Sequence, residues 1–224
     1  MTNGKVMKIT IQQIDEAAER LAGVVVKTPL QYSKRMSEKF HAKIYMKRED
    51  IQEVRSFKIR GAYNKISLLS DAKKKQGIVT ASTGNHAQGV ALSCALLKIN
   101  GVIFMPVVTP NQKINKVKHF GDKYITIKLV GDTFDDAVEA SKQYEKTHKV
   151  TYIHPFDDED TIIGQGTIGK EIYEKLQGNV DIVISPIGGG GIASGIASYL
   201  KQNLPFHMHN LHNCIVYFYS FYLS

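Results

Sequence analysis

The chain has 224 residues, 43% of them hydrophobic and 22% charged, enough for one large domain or two small ones around a core of useful size. Its 29 Lys and Arg against 21 Asp and Glu give a formal net charge of +8, which would suit nucleic acid or an anionic small molecule. The basic residues are scattered and no RRM, zinc-finger or basic-zipper pattern accompanies them, so no nucleic acid is expected. Two cysteines outside any CxxC pair, an N-terminus without a signal-peptide core and no apolar stretch of about 18 residues point to the reducing cytoplasm and no membrane partner.

"TIQQIDEAAERLAG" (10–23) reads as a helix, with Ile11, Ile14, Ala18 and Leu21 at helical spacing and Thr10 as its cap. "TPLQYS" reads as a turn and "KIYMKRED" (43–50) as a short strand entering a charged loop. Residues 57 to about 75 are helical in pattern. Strands are expected at 77–82, 102–108, 124–130, 151–154 and 181–186. Helices are expected at 86–99, 111–121, 133–148, 163–178 and 191–202. This alternation argues for an α/β fold with a parallel sheet and crossover helices. After Lys201 the chain has no Lys, Arg, Asp or Glu. It carries three histidines (His207, His209, His212) and a burst of aromatics. Metal binding and an irregular tail are the two readings of that stretch, and the composition favours the tail.

Three loops carry chemistry. In "RSFKIRGAY" (55–63), Lys58 falls in the first turn of a helix, where the positive end of the helix dipole disfavours an ammonium. It is either a surface lysine or a nucleophilic amine beside the flat face of Phe57. "ASTGNHAQG" (81–89) follows a strand and opens a helix. Its small residues and free N–H groups suit an anion such as a carboxylate, and Ser82, Thr83 and Asn85 add side-chain hydrogen bonds. His86 is a base or a structural cap. "SPIGGGGIASG" (185–195) sets four glycines between an apolar strand and a helix, the form of a phosphate cup or of a flexible linker. "GQGTIG" (164–169) has dinucleotide-site spacing, but "DDED" precedes it in place of a buried strand, so that role is rejected. A nucleophilic lysine, an aromatic plate and a glycine cup together point to pyridoxal phosphate.

"SFKIRGAY", "ASTGNHAQGVAL" and "SPIGGGGIASGIA", in this order and spacing, resemble the fold-type-II pyridoxal-phosphate serine/threonine dehydratases over about residues 8 to 202. The pattern is most like the short, biodegradative threonine dehydratase. The resemblance implies two open parallel-type sheets flanked by helices. Residues 1–50 and 151–202 would form a large, incomplete domain, 51–150 a small one and 203–224 an aberrant tail. It implies that Lys58 binds the cofactor and later moves the Cα proton, that Phe57 packs on the pyridine ring, and that Asn85 bonds its phenolic oxygen. Ser82, Thr83, Gly84 and His86 would hold the substrate carboxylate. Gly188, Gly189, Gly190, Gly191 and Ile192 would cradle the phosphate.

The implied substrate is a small amino acid, L-threonine or L-serine, deaminated to a 2-oxo acid and ammonia, in a homo-oligomer if the chain is full length. Family members continue past residue 224 and there supply the partner of the pyridine nitrogen. A truncated chain with weak cofactor binding and little activity is therefore expected. Thr83 could reprotonate Cα from the face opposite Lys58, as in serine racemase, which is the nearest alternative. A non-catalytic binding module is another, and a cysteine or threonine synthase a weaker one.

Overall fold

The computed structural model describes residues 8–204 and the strand 215–219. His207, His209, His212 and Cys214 lie outside the described residues.

The first helix, α1 (Ile11–Leu21), is held at its start by a capping box between Thr10 and Gln13. Then come β1 (Leu30–Tyr32), α2 (Lys34–Phe40) and β2 (Tyr45–Lys47), with β1 and β2 paired antiparallel. α3 (Lys58–Ser67) and α4 (Asp71–Gln76) lead into β3 (Ile78–Ala81) and α5 (Asn85–Leu97). β4 (Gly101–Met105), α6 (Asn111–Gly121), β5 (Ile125–Leu129), α7 (Phe134–His148) and β6 (Thr151–Tyr152) follow. α8 (Glu159–Leu176), β7 (Ile182–Pro186), α9 (Gly191–Asn203) and β8 (Ile215–Tyr219) complete the described chain.

The main sheet is parallel, in the order β5-β4-β3-β6. Alternate residues of its strands face opposite layers, as a period of two requires. Ile78, Ile103 and Met105 join Ala62, Ile66, Val90, Ala91, Ile114 and Val117 from α3, α5 and α6. Val79, Ala81 and Phe104 face Ala137 of α7. A second layer packs α8 against α1 and α9. β7 pairs with β8 in parallel, so the second parallel sheet consists of these two strands among the described residues.

Chain order fixes where a ligand can sit. β3 opens the main sheet, β4 and β5 build outward on one side, and β6 returns to the other side of β3. The loops after β3 and β6 therefore leave neighbouring parallel strands at the same end of the sheet, at the point where the strand order reverses, the place where ligands sit in such sheets.

Four local expectations change. "TPLQYS" contains β1, because pairing with β2 outweighs the turn signal of Pro29, and α2, absent from the sequence reading, follows it. The helix expected over 57–75 is two helices, since Ser70 Oγ accepts the Lys73 N–H and starts α4. α8 begins at Glu159, capped by Asp158, so "GQGTIG" lies inside a buried helix. Its glycines let helices touch: a Cβ on Gly164 would stand 2.6 Å from the Arg60 carbonyl oxygen. Finally, β8 is a strand within the stretch read as an irregular tail. Its run of β-branched and aromatic residues suits a strand, and β7 offers it a pairing edge.

α3 is fastened to α8 and to the segment after β2 by a buried charge cluster. Arg60, fully buried, bonds Glu49 at 2.8 Å and Glu171 at 2.7 Å, and Lys47 also reaches Glu171. Burial pushes the Glu49 carboxyl up, but bonding to Arg60 outweighs it and holds the group below the usual carboxylate range. Its share of stability is thus present above the ordinary carboxylate range and lost as pH falls through its depressed value. Arg60→Ala would strand two carboxylates and should cost about 3–5 kcal/mol in equilibrium denaturation. A loss below about 1 kcal/mol would mean that the cluster is solvated.

Candidate active site

Lys58 is the first residue of α3 and is half-buried. Its Nζ donates to the Pro155 carbonyl at 2.7 Å, in the loop after β6, and lies 5.3 Å from the centre of the Phe57 ring. Phe57 in turn packs on the core of the second layer, which fixes its plane. Removal from water lowers the amine to a pKa of about 8.

The loop after β3 is shaped by Ser82, whose Oγ accepts the N–H groups of Gly84 (3.3 Å) and Ala87 (3.2 Å). Those bonds leave the hydroxyl proton free to donate. They also leave the N–H groups of Asn85 and His86, in the first turn of α5, without an acceptor among the described residues. His86 is buried. Its Nε2 meets the Ile153 carbonyl at 3.1 Å, while Nδ1 has no partner among the described residues. Burial, helped by the charge of Lys58, pushes the ring down to a pKa of about 3, so it is neutral. With the proton on Nε2, Nδ1 is a lone-pair acceptor and cannot donate to a carboxylate. The ring fits the structural reading of His86, and its backbone N–H is the group open to an anion.

The glycine loop ends at α9. Gly190 has a φ of +86°, which only glycine adopts without strain, and caps α9 with no side chain. The first N–H groups of α9, at Gly191, Ile192 and Ala193, have no acceptor among the described residues. A Cβ on Gly189 would run into the Phe156 ring, and one on Gly191 would stand 2.9 Å from the Phe156 carbonyl oxygen. Phe156 therefore floors the loop, one residue after the carbonyl that holds Lys58.

Lys58, the β3 loop and the glycine loop thus meet through the segment 153–156: Ile153 bonds His86, Pro155 bonds Lys58 and Phe156 bears on Gly189. Thr83 and Gly84 sit half-buried in the β3 loop. Asn85 is exposed and borders an open pocket of about 560 Å³ with Arg55, Gln88 and Lys116. Sequence reasoning missed Pro155 and Phe156. Their signal was positional: they lie in the loop after the strand that flanks the switch point. A bare-backbone cup at a helix start, a desolvated amine and an aromatic plate beside it fit a phosphate-bearing aldehyde.

The family model described as "Pyridoxal-phosphate dependent enzyme" matches residues 21–216. The chain is 50% identical over 198 residues to the protein named L-threonine dehydratase biosynthetic IlvA of Halalkalibacterium halodurans, covering 88% of this chain and 48% of that protein. It is 49% identical over 200 residues to the protein of the same name from Lactococcus lactis subsp. lactis, again covering 88% and 48%. These relatives bear the name of the biosynthetic form, whereas the sequence had suggested the short one. Among solved structures, threonine deaminase isoform 2 of Solanum lycopersicum superposes with a TM-score of 0.81 at 40% identity, covering 86% of this chain and 52% of that one. Maize serine racemase superposes with a TM-score of 0.82 at 35% identity, covering 88% and 58%. The chain spans about half the length of the curated relatives it matches.

A buried amine costs stability while it is charged. That cost is complete below the folded value of about 8 and vanishes above the ordinary lysine value. Lys58→Met should therefore stabilise the protein by up to about 3 kcal/mol at neutral pH and by almost nothing above about pH 10.5. An equal gain at both pH values in denaturant titrations would show that the amine is not desolvated. By the extent of the family match and by the three loops assembled around Lys58, the chain belongs to the pyridoxal-phosphate dependent enzymes.

Proposed function

We propose that this chain carries the cofactor-binding half of an ammonia-lyase that deaminates L-threonine, and L-serine, to the 2-oxo acid and ammonia. The observation that supports it most is the desolvated Lys58 amine, bonded one residue away from the floor of the glycine loop. The names of the relatives favour threonine as substrate.

Pyridoxal phosphate, when bound, supplies an aldehyde for the amine and an electron sink for negative charge at Cα. The residues do the rest. Lys58, neutral in a useful fraction near pH 8, attaches the cofactor and, once displaced by the substrate amine, takes the Cα proton. Phe57 lies beside the amine as the plate for a flat ring. Gly188, Gly189, Gly190, Gly191 and Ile192 hold the phosphate by N–H groups at the start of α9, where the helix dipole favours a dianion. Asn85 bonds the phenolic oxygen. Ser82 and Thr83 by their hydroxyls, and Gly84 and His86 by their backbone, hold the substrate carboxylate at the start of α5. On this reading the substrate's Cα would lie between two helix N-termini and next to one base. The β-hydroxyl leaves as water, and hydrolysis of the released enamine yields the 2-oxo acid and ammonia.

The test is pyridoxal phosphate added to the purified chain, followed by borohydride and peptide mass spectrometry. A pyridoxyl adduct on Lys58, absent in Lys58→Ala, is expected. No adduct, or adducts spread over surface lysines, would overturn the cofactor reading. Incubation with L-threonine should then release 2-oxobutanoate. D-serine formed from L-serine without pyruvate would make Thr83 a reprotonating acid and the chain a racemase.

A further inference from the structure

The segment that gathers the three loops is itself held by a side chain to which the proposed reaction assigns no role. His154 lies two residues past β6, and its Nδ1 accepts two backbone N–H groups, from Phe156 at 3.3 Å and from Asp157 at 2.7 Å. Two donors converging on one nitrogen require a lone pair there, so the ring is neutral with its proton on Nε2. The same ring meets Phe156 edge-on, with centroids 4.7 Å apart and planes at 85°. Pro155, whose carbonyl receives Lys58, sits inside this turn and has no N–H of its own to fix it. The carbonyl's direction is therefore set by the bonds on either side of it.

We propose that His154 is a positioning residue for Lys58: its neutral imidazole locks the 154–157 turn so that the Pro155 carbonyl meets the amine and Phe156 floors the glycine loop, and protonation of the ring releases both. The inference rests on Lys58 being the cofactor lysine.

Every element around the ring bears on its charge. Asp157 and Asp158, at the start of α8, favour the imidazolium, but Asp158 is already bonded to Lys65 at 2.8 Å. Lys142 of α7 and Lys58 of α3 oppose it, His86 of α5 is neutral, and the Tyr152 ring of β6 lies 6.1 Å away. Burial has the largest influence, and the net effect holds His154 below the ordinary histidine range. At neutral pH the turn is therefore closed, and it opens only as pH falls below about 6.5.

His154→Asn and His154→Ala separate this role from simple packing. An Asn Oδ1 takes the place of Nδ1, accepts the same two N–H groups as in an Asx turn, and does not titrate. Alanine removes the acceptor. The readout is the acetic anhydride reactivity of Lys58, followed by mass spectrometry from about pH 5 to about pH 10 beside pyridoxal phosphate attachment.

In the wild type, reactivity should fall about tenfold per pH unit below the lysine midpoint, then by roughly a further tenfold as His154 titrates. His154→Asn should keep the lysine midpoint and lose the second fall. His154→Ala should raise the midpoint by about one unit and weaken pyridoxal phosphate attachment about tenfold. An Ala variant matching the wild type, or a natively folded Asn variant no better than Ala, would overturn the proposal. Should both variants unfold, a wild-type profile without the second fall would overturn it. A pattern of acetylation as expected, with no pyridoxyl adduct in any form, would keep the positioning role and remove the cofactor.

Discussion

The site depends on one hydrogen bond, from the Lys58 ammonium to the Pro155 carbonyl at 2.7 Å. A lysine drawn out of water needs an acceptor for its protons or it gives up its charge, and here both happen in part. A single neutral acceptor is too weak to restore the ordinary lysine value, so the amine stays near a pKa of about 8. A carboxylate in place of the carbonyl would have stabilised the ammonium and kept the amine charged. Of the aspartates beside this loop, Asp157 closes the turn and Asp158 follows it, engaged by Lys65. Weak anchoring is thus a condition of reactivity, because it holds the amine in place without holding its proton.

That bond has meaning only if α3 and the loop after β6 keep their distance, and two different devices see to this. Gly61 and Gly164 let α3 and α8 approach until backbone meets backbone; a Cβ on Gly61 would stand 2.6 Å from the Thr161 carbonyl oxygen. The Arg60 cluster supplies direction on the same helix, two residues after Lys58, by tying it to Glu49 and Glu171. Close packing alone would allow α3 to slide along its axis. A guanidinium fork shared between two carboxylates fixes the register as well, because its bonds are lost with small shifts. Stability is spent on the lysine and recovered two residues later.

Much of this was legible in the sequence because it is local. Strand and helix alternate with clear period, and the three loops follow strands and open helices as the residues 58, 82–86 and 188–192 suggested. What stayed hidden depends on partners distant in the chain. β1 exists because β2 pairs with it, which Pro29 and a three-residue length concealed. "GQGTIG" reads as helix with the spacing of a dinucleotide site, but what its glycines answer to is Gly61, Ile14, Gly195 and Ile196 on three other helices. Nothing in "TYIHPFDD" announces an anchor for a lysine almost a hundred residues earlier. Only the return of β6 to the far side of β3 brings it there. Ser70, by contrast, was readable: a serine followed by Asp71 in a lysine-rich run is a helix start, and the longer apolar pattern hid it.

The two histidines at the crevice show how the same side chain is given opposite duties by its surroundings. His86 is enclosed so fully that its pKa falls to about 3, and no ordinary pH change alters its bond to Ile153. It is a permanent strut between α5 and the strand-end loop. His154 is only half-buried and faces two carboxylates and two lysines, so its charge is set by a balance that acid can tip. Both rings brace the same short segment, one at Ile153 and one at Phe156 and Asp157. Pro155 lies between them. A carbonyl braced rigidly on one side and conditionally on the other can hold an amine firmly near neutral pH, where that amine is partly neutral. In acid the same loop loosens when the amine is fully charged and of no use as a nucleophile.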